Sequence, residues 1–104
     1  MFVGREFDVA DPGENQVYGF DFVNDLNPGD TIVSQNSYLT VQTGIDSNPS
    51  SHLQGNPVLF TPTIVIQRIF DLLPGVTYDF QVVVTTQDGD VLSLYSRIPG
   101  RPVY

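Results

Sequence analysis

The stretch Leu72-Leu73-Pro74-Gly75-Val76-Thr77-Tyr78-Asp79-Phe80-Gln81-Val82-Val83-Val84-Thr85-Thr86 carries two signals in succession. The Pro-Gly pair comes first: proline presets φ for a turn, and glycine supplies the left-handed position that follows it. From Thr77 onward, Tyr78, Phe80, Val82 and Val84 alternate with Asp79, Gln81 and Thr85. Successive side chains of a strand point to opposite faces, so this period of two predicts a half-buried strand from Thr77 to Thr86 with its aromatic and branched residues inward. Val83 is the single apolar residue in the outward phase.

The same reading extends in both directions. Downstream, Gln87-Asp88-Gly89-Asp90 is a hairpin signal of the Asp-Gly type, and Asp90 to Ile98 then places Leu92, Leu94 and Ile98 inward. The two strands are therefore expected to be antiparallel neighbours. The outward phase of the second carries Val91, Ser93, Tyr95 and Arg97, a mixture suited either to water or to a subunit contact. Upstream, Val17 to Asn24 sends Tyr18, Phe20 and Phe22 to one face and Gly19, Asp21 and Val23 to the other. Between Val58 and Leu73 the even positions Phe60, Pro62, Ile64, Ile66, Phe70 and Leu72 are apolar, which predicts an even inward phase divided at Pro62. Thr31 to Thr43 alternates poorly. Ile32 fits one phase and Leu39 with Val41 the other, which predicts two short strands and a register change around Gln35-Asn36-Ser37.

Turn chemistry at Asp11-Pro12-Gly13, Asn27-Pro28-Gly29-Asp30, Pro74-Gly75 and Asp88-Gly89 separates these segments. Apolar residues do not recur at helical spacing over a useful window. About seven short strands with one apolar face predict an all-β fold, an antiparallel β-sandwich or a small barrel. The 104 residues suit one domain. Its expected parts are an N-terminal arm or first strand over residues 1–15, the sandwich over 16–98 and a C-terminal tail over 99–104.

Composition narrows the partners. All four cations are arginines (Arg5, Arg68, Arg97, Arg101) and the formal net charge is -8, so the surrounding field repels phosphate backbones and nucleic acid is not an expected partner. With 40% hydrophobic and 15% charged residues the chain is apolar enough to fold. The absence of cysteine removes disulfides, thiolate metal sites and a cysteine nucleophile. Met1 to Asp8 lacks a basic leader and an apolar run, and nothing later approaches a membrane span. The expectation is a chain made in the cytosol, with no membrane partner.

Candidate chemistry is sparse. His52 is the sole histidine, which excludes a two-histidine zinc site, and its place beside Ser50 and Ser51 in the polar interval Thr43 to Pro57 reads as a solvated histidine in a long loop. Asp88 with Asp90, and the spaced Asp21, Asp25 and Asp30, could donate oxygens to a hard cation, but a hairpin turn and a wet strand face account for them. Neither a metal nor a cofactor is expected, and no acid, base and nucleophile set suggests an enzyme. Arg68 interrupts an apolar run and reads either as an edge-strand charge that blocks sheet association or as an interface residue. Both chain ends, Met1 to Val9 and Pro99 to Tyr104, could be arms reaching onto a neighbour.

Two resemblances add to this. Leu72, Pro74, Gly75 and Tyr78 form a Leu-x-Pro-Gly-x-x-Tyr run that resembles the tyrosine corner at the E–F junction of fibronectin type III domains, which implies an Ig-like sandwich. The absence of tryptophan and cysteine departs from the immunoglobulin core. The segment Phe20 to Ser34, with Leu26-x-x-Gly29-Asp30-x-Ile32-x-Ser34, resembles small tailed-bacteriophage virion proteins, and the order continues through Gly75-x-x-Tyr78 and the Thr85 to Gly89 hairpin. That resemblance implies a non-enzymatic virion part, a capsid decoration or cement protein on the capsid surface. It would bind the major capsid protein, with a homo-oligomer such as a trimer as a reasonable form. Phe2, Val3, Arg5 and Phe7 of the arm, the loop around Leu53, and Arg68 are the contacts expected on this reading. Alternatives are a tail adaptor, fibre-attachment or baseplate module, and a carbohydrate-binding adsorption module using tyrosines such as Tyr38 and Tyr95.

Overall fold

Residues 77–86 form the middle strand of a three-stranded sheet, and their burial alternates without a break from Thr77 to Thr86. The computed structural model describes residues 2, 3 and 15–99. Its strands are β1 (Phe2–Val3), β2 (Asn15–Asp21), β3 (Ile32–Thr43), β4 (Leu53–Leu59), β5 (Ile64–Phe70), β6 (Thr77–Thr86) and β7 (Val91–Pro99), with a short 3-10 turn over Pro49–His52. One sheet runs β1-β2-β5-β4 and the other β3-β6-β7. All pairings are antiparallel except β1 with β2, where Phe2 and Val3 lie parallel to Tyr18 and Gly19. The fold is all-β, two packed sheets compatible with a β-sandwich.

The core lies between the sheets. Tyr18, Phe20 and Phe22 come from β2 and its continuation, Val65 and Ile69 from β5, Tyr78, Phe80, Val82 and Val84 from β6, and Leu94 and Ile98 from β7. Phe80 joins the layers: its ring stacks on Phe20 at 5.5 Å between centroids and meets Tyr18 edge-on at 6.5 Å. Such aromatic pairs contribute about 0.5–1.5 kcal/mol beyond their buried area. The β6–β7 hairpin closes through Gly89 at φ 92, a left-handed conformation that favours glycine.

Three expectations are corrected. Residues 32–43 form one strand, and the phase change sits at Val33 instead of residues 35–37: Ile32 pairs with Thr86 and Ser34 with Thr85, so Val33 is an extra bulged residue. The bulge lets Ile32 and Leu39, seven positions apart, both face the core.

In β5 the inward phase is odd, not even. Val65, Gln67 and Ile69 are buried, while Ile64, Ile66 and Phe70 are half-buried on the other face. Both faces of β5 carry apolar residues, so alternation alone cannot choose between them. The outward Ile66 is covered because it lies over Gly19, where an added Cβ would sit 2.9 Å from Ile66 Cγ2 and 2.6 Å from the Val65 carbonyl. Asp71, in the left-handed region at φ 58, then resets the alternation and turns Leu72 inward.

The long polar loop is also shorter than its composition suggests. Residues 49–52 form the 3-10 turn and 53–59 form β4, an edge strand bulged between Gln54 and Val58. The missing ladder bonds are replaced from within: the buried Gln67 amide donates to the carbonyls of Gln54 (3.1 Å) and Gly55 (3.2 Å).

Candidate functional site

Two groups of side chains stand out from the scaffold, one buried and one exposed. The buried group grows from the turn between β5 and β6. Leu72 is buried, Pro74 is exposed, Gly75 takes φ 74, and Tyr78 enters the core with its hydroxyl near the β5–β6 connection. That hydroxyl accepts from the Leu73 N–H, five residues upstream, at 3.1 Å and donates to Asp46 Oδ2 at 2.7 Å.

Asp46 is the hub. Its Oδ1 accepts from the Asn48 N–H at 3.0 Å, and its Oδ2 also faces His52 Nε2 at 2.8 Å. His52 is 8% exposed, so the expected solvated loop histidine is corrected to a buried one. The 3-10 turn holds it edge-on to Tyr78, with Nδ1 3.2 Å from the Phe70 carbonyl. A carbonyl and a carboxylate both accept, so at each contact the ring nitrogen is the donor. The group pins the β3–β4 connection to the β5–β6 corner.

The electrostatics follow from this geometry. Burial pushes the Asp46 carboxyl up, but the hydrogen bonds from Tyr78, Asn48 and His52, with the imidazole's charge, outweigh it and hold the carboxyl below its ordinary value of 3.8. Burial, reinforced by the Asp46 acceptor, pushes the Tyr78 phenol from 10.0 up to about 12. A carboxyl lowered on folding stabilises above its unfolded pKa, and that contribution disappears as pH falls through the folded value. A phenol raised on folding favours the native state fully below 10.0, and the advantage is lost as pH rises through about 12. The thermal midpoint should therefore fall below pH 3.8 and again between pH 10.0 and about 12. Scanning calorimetry across both windows checks this, with Tyr78→Phe expected to flatten the alkaline limb.

The exposed group lies on the outward face of β3-β6-β7. Register places Tyr38, Gln81 and Tyr95 side by side across the three strands, with Asp79 and Arg97 paired in a neighbouring row beside Thr40. Tyr38, Thr40, Asp79, Gln81 and Tyr95 line a shallow hollow of about 250 Å³. Gln81 Nε2 donates to Ser93 Oγ at 2.6 Å, and Arg97 Nε lies 3.8 Å from Asp79 Oδ1. A second hollow of about 370 Å³ is lined by Thr31, Ile32, Leu59, Phe60, Thr61 and Pro62, beside the exposed Val58 on edge strand β4. Among the described residues, no three His, Asp or Glu side chains converge as metal ligands would.

No family model, curated protein or solved structure matches this chain. The residues singled out in the sequence are therefore placed by geometry alone. Phe2 and Val3 belong to β1, while Arg5 and Phe7 lie outside the described residues. Leu53 is not in a loop: it begins β4, pairs with Ile69 and packs against the core. Arg68 is not on an edge strand or an inward face. It is exposed on β5, between β2 and β4, and its Nη1 donates to Asn15 Oδ1 at 3.0 Å. Arg68 and Leu53 share a sheet, but neither lines a hollow described above. Among the described residues, no helix is long and apolar enough to cross a membrane.

Proposed function

We propose that this chain is a structural virion protein of the capsid-decoration type, an Ig-like sandwich that binds the major capsid protein and stabilises the assembled shell. The observation that carries the reading is the Leu26-x-x-Gly29-Asp30-x-Ile32-x-Ser34 segment with its resemblance to small phage virion proteins. Its residues do identifiable work here. Gly29 takes φ 81, and Asp30 Oδ1 accepts from the Thr31 N–H (2.8 Å) and from the Asp88 N–H (3.2 Å), tying the β2–β3 turn to the β6–β7 hairpin. Asn27 Nδ2 adds a bond to Asp90 Oδ2 at 3.1 Å.

The strand order supports the Ig-like part of the reading. β1-β2-β5-β4 over β3-β6-β7 corresponds to the ABED and CFG sheets of a constant-type immunoglobulin domain, with Tyr78 near the start of the F-equivalent strand. The parallel β1–β2 pairing departs from an all-antiparallel arrangement.

Adhesion is the mechanism. Val58, Leu59 and Phe60 expose apolar surface at the β4 edge, and Phe60 with Leu59 lines the larger hollow. Burying such a patch against capsid subunits, as monomer or trimer, stabilises the shell by mass action, because only the assembled lattice offers the complete site. Quantifying this chain in purified particles tests the reading. A stoichiometry tied to the major capsid protein, with Phe60→Asp lowering occupancy, is the expected result. About a dozen copies or fewer, as the symmetry of a tail part would dictate, or none at all, would overturn it.

A further inference from the structure

The Tyr38–Gln81–Tyr95 row is unexplained by folding. Tyr38 and Tyr95 are 50% and 70% exposed, so their rings contribute little to the core, and they flank the same residue on the two neighbouring strands. Single exposed apolar residues are ordinary on a protein surface, but two aromatic rings aligned on either side of an amide, at the rim of a hollow, are not scattered ones. Adjacent strands lie about 4.8 Å apart, which sets the two tyrosine Cα atoms roughly 10 Å apart with Gln81 as the floor between them.

We propose that this hollow is a binding site for a neutral oligosaccharide, one pyranose ring sitting over Gln81 between the two tyrosines. The proposal does not depend on the virion reading. A pyranose presents flat C–H faces, which pack on aromatic rings, and a rim of hydroxyls, each of which both donates and accepts. The lining matches both features. Two phenol rings supply the apolar walls, while the Asp79 carboxylate accepts and the Thr40 hydroxyl and Gln81 amide do both. Because one Gln81 N–H is held by Ser93, its Oε1 and second N–H are left for the ligand in a fixed orientation.

Charge selects the neutral class. A formal net charge of -8 disfavours an anionic ligand, whether an acidic glycan or a nucleic acid. A basic peptide is disfavoured too, because Asp79, the carboxylate lining the hollow, already faces the Arg97 guanidinium at 3.8 Å. The site is shallow and desolvates little of a sugar, so affinity should be weak, with a Kd of about 1 mM.

The test is amide chemical-shift mapping of the full chain titrated separately with cellotriose, maltotriose and chitotriose to about 10 mM, a range that captures such affinities. The expected result is saturable shifts with at least one of the three, confined to outward residues of β3, β6 and β7 around positions 38, 81 and 95. Tyr38→Ala and Tyr95→Ala should each weaken that binding about tenfold while leaving the thermal midpoint unchanged, as expected for exposed rings. Three outcomes would overturn the assignment: no shifts on this face with any of the trisaccharides, shifts that persist unchanged in the Tyr38→Ala/Tyr95→Ala double variant, or tighter binding of sialyllactose or of a lysine-rich peptide at the same residues.

Discussion

Asp46→Ala is expected to lower the unfolding free energy by about 3 kcal/mol, measured by urea denaturation. One carboxylate accepts from Tyr78, faces His52 and caps the exposed Asn48 amide, so its removal leaves a phenol and an imidazole without that partner at a site where water has little access. Against a total stability of roughly 5–15 kcal/mol for a domain of this kind, such a loss moves the midpoint visibly. Asp46→Asn keeps the shape and one acceptor oxygen and should lose less. Because Asp46 and Tyr78 share a hydrogen bond, Asp46→Ala combined with Tyr78→Phe should cost less than the sum of the two. A loss below about 0.5 kcal/mol for Asp46→Ala, the range of ordinary surface changes, would mean that the buried cluster does not hold the two connections together.

That cluster also marks the limit of what the sequence disclosed. The corner tyrosine was legible because Pro74, Gly75 and Tyr78 are local, and period two is a reliable sign of a strand with one wet face, as in β6 and β7. Asp46 was not legible. Its buried partners are 6 and 32 positions away, and a lone aspartate among Gly, Ser, Asn and Pro has the composition of a solvated loop. The β5 phase failed for a different reason: a strand packed on one face and overlaid on Gly19 at the other is apolar on both, and only the neighbouring strand decides which face is covered. Likewise the missing alternation of β3 was visible, but a bulge moves register by one residue wherever it falls, and Val33 carries no side-chain signal that places it there. Tyr38 and Tyr95 were visible singly. Their alignment across Gln81 is a property of strand register and exists only once three strands have paired.

Phe80→Ala is expected to lower the unfolding free energy by about 3–5 kcal/mol. Phe80 is fully buried, its ring lies against Phe20 and Tyr18 of the opposite sheet, and its neighbours across its own sheet are Leu39 and Ser96. Truncation removes the transfer free energy of the ring and leaves a cavity between two sheets. Their spacing is fixed by the remaining core, so collapse can recover only part of the loss. In urea the midpoint should fall with little change in slope, since the surface exposed on unfolding is nearly the same. Val91→Ala is the matched comparison on the outward face of β7: its side chain is exposed, and its replacement should change stability by no more than about 0.5 kcal/mol. The contrast between the two tests the face assignment on which the packing of the sheets depends. Losses of similar size at Phe80 and Val91 would place the core elsewhere, because no arrangement with Phe80 between the sheets leaves its truncation as cheap as that of a residue in water.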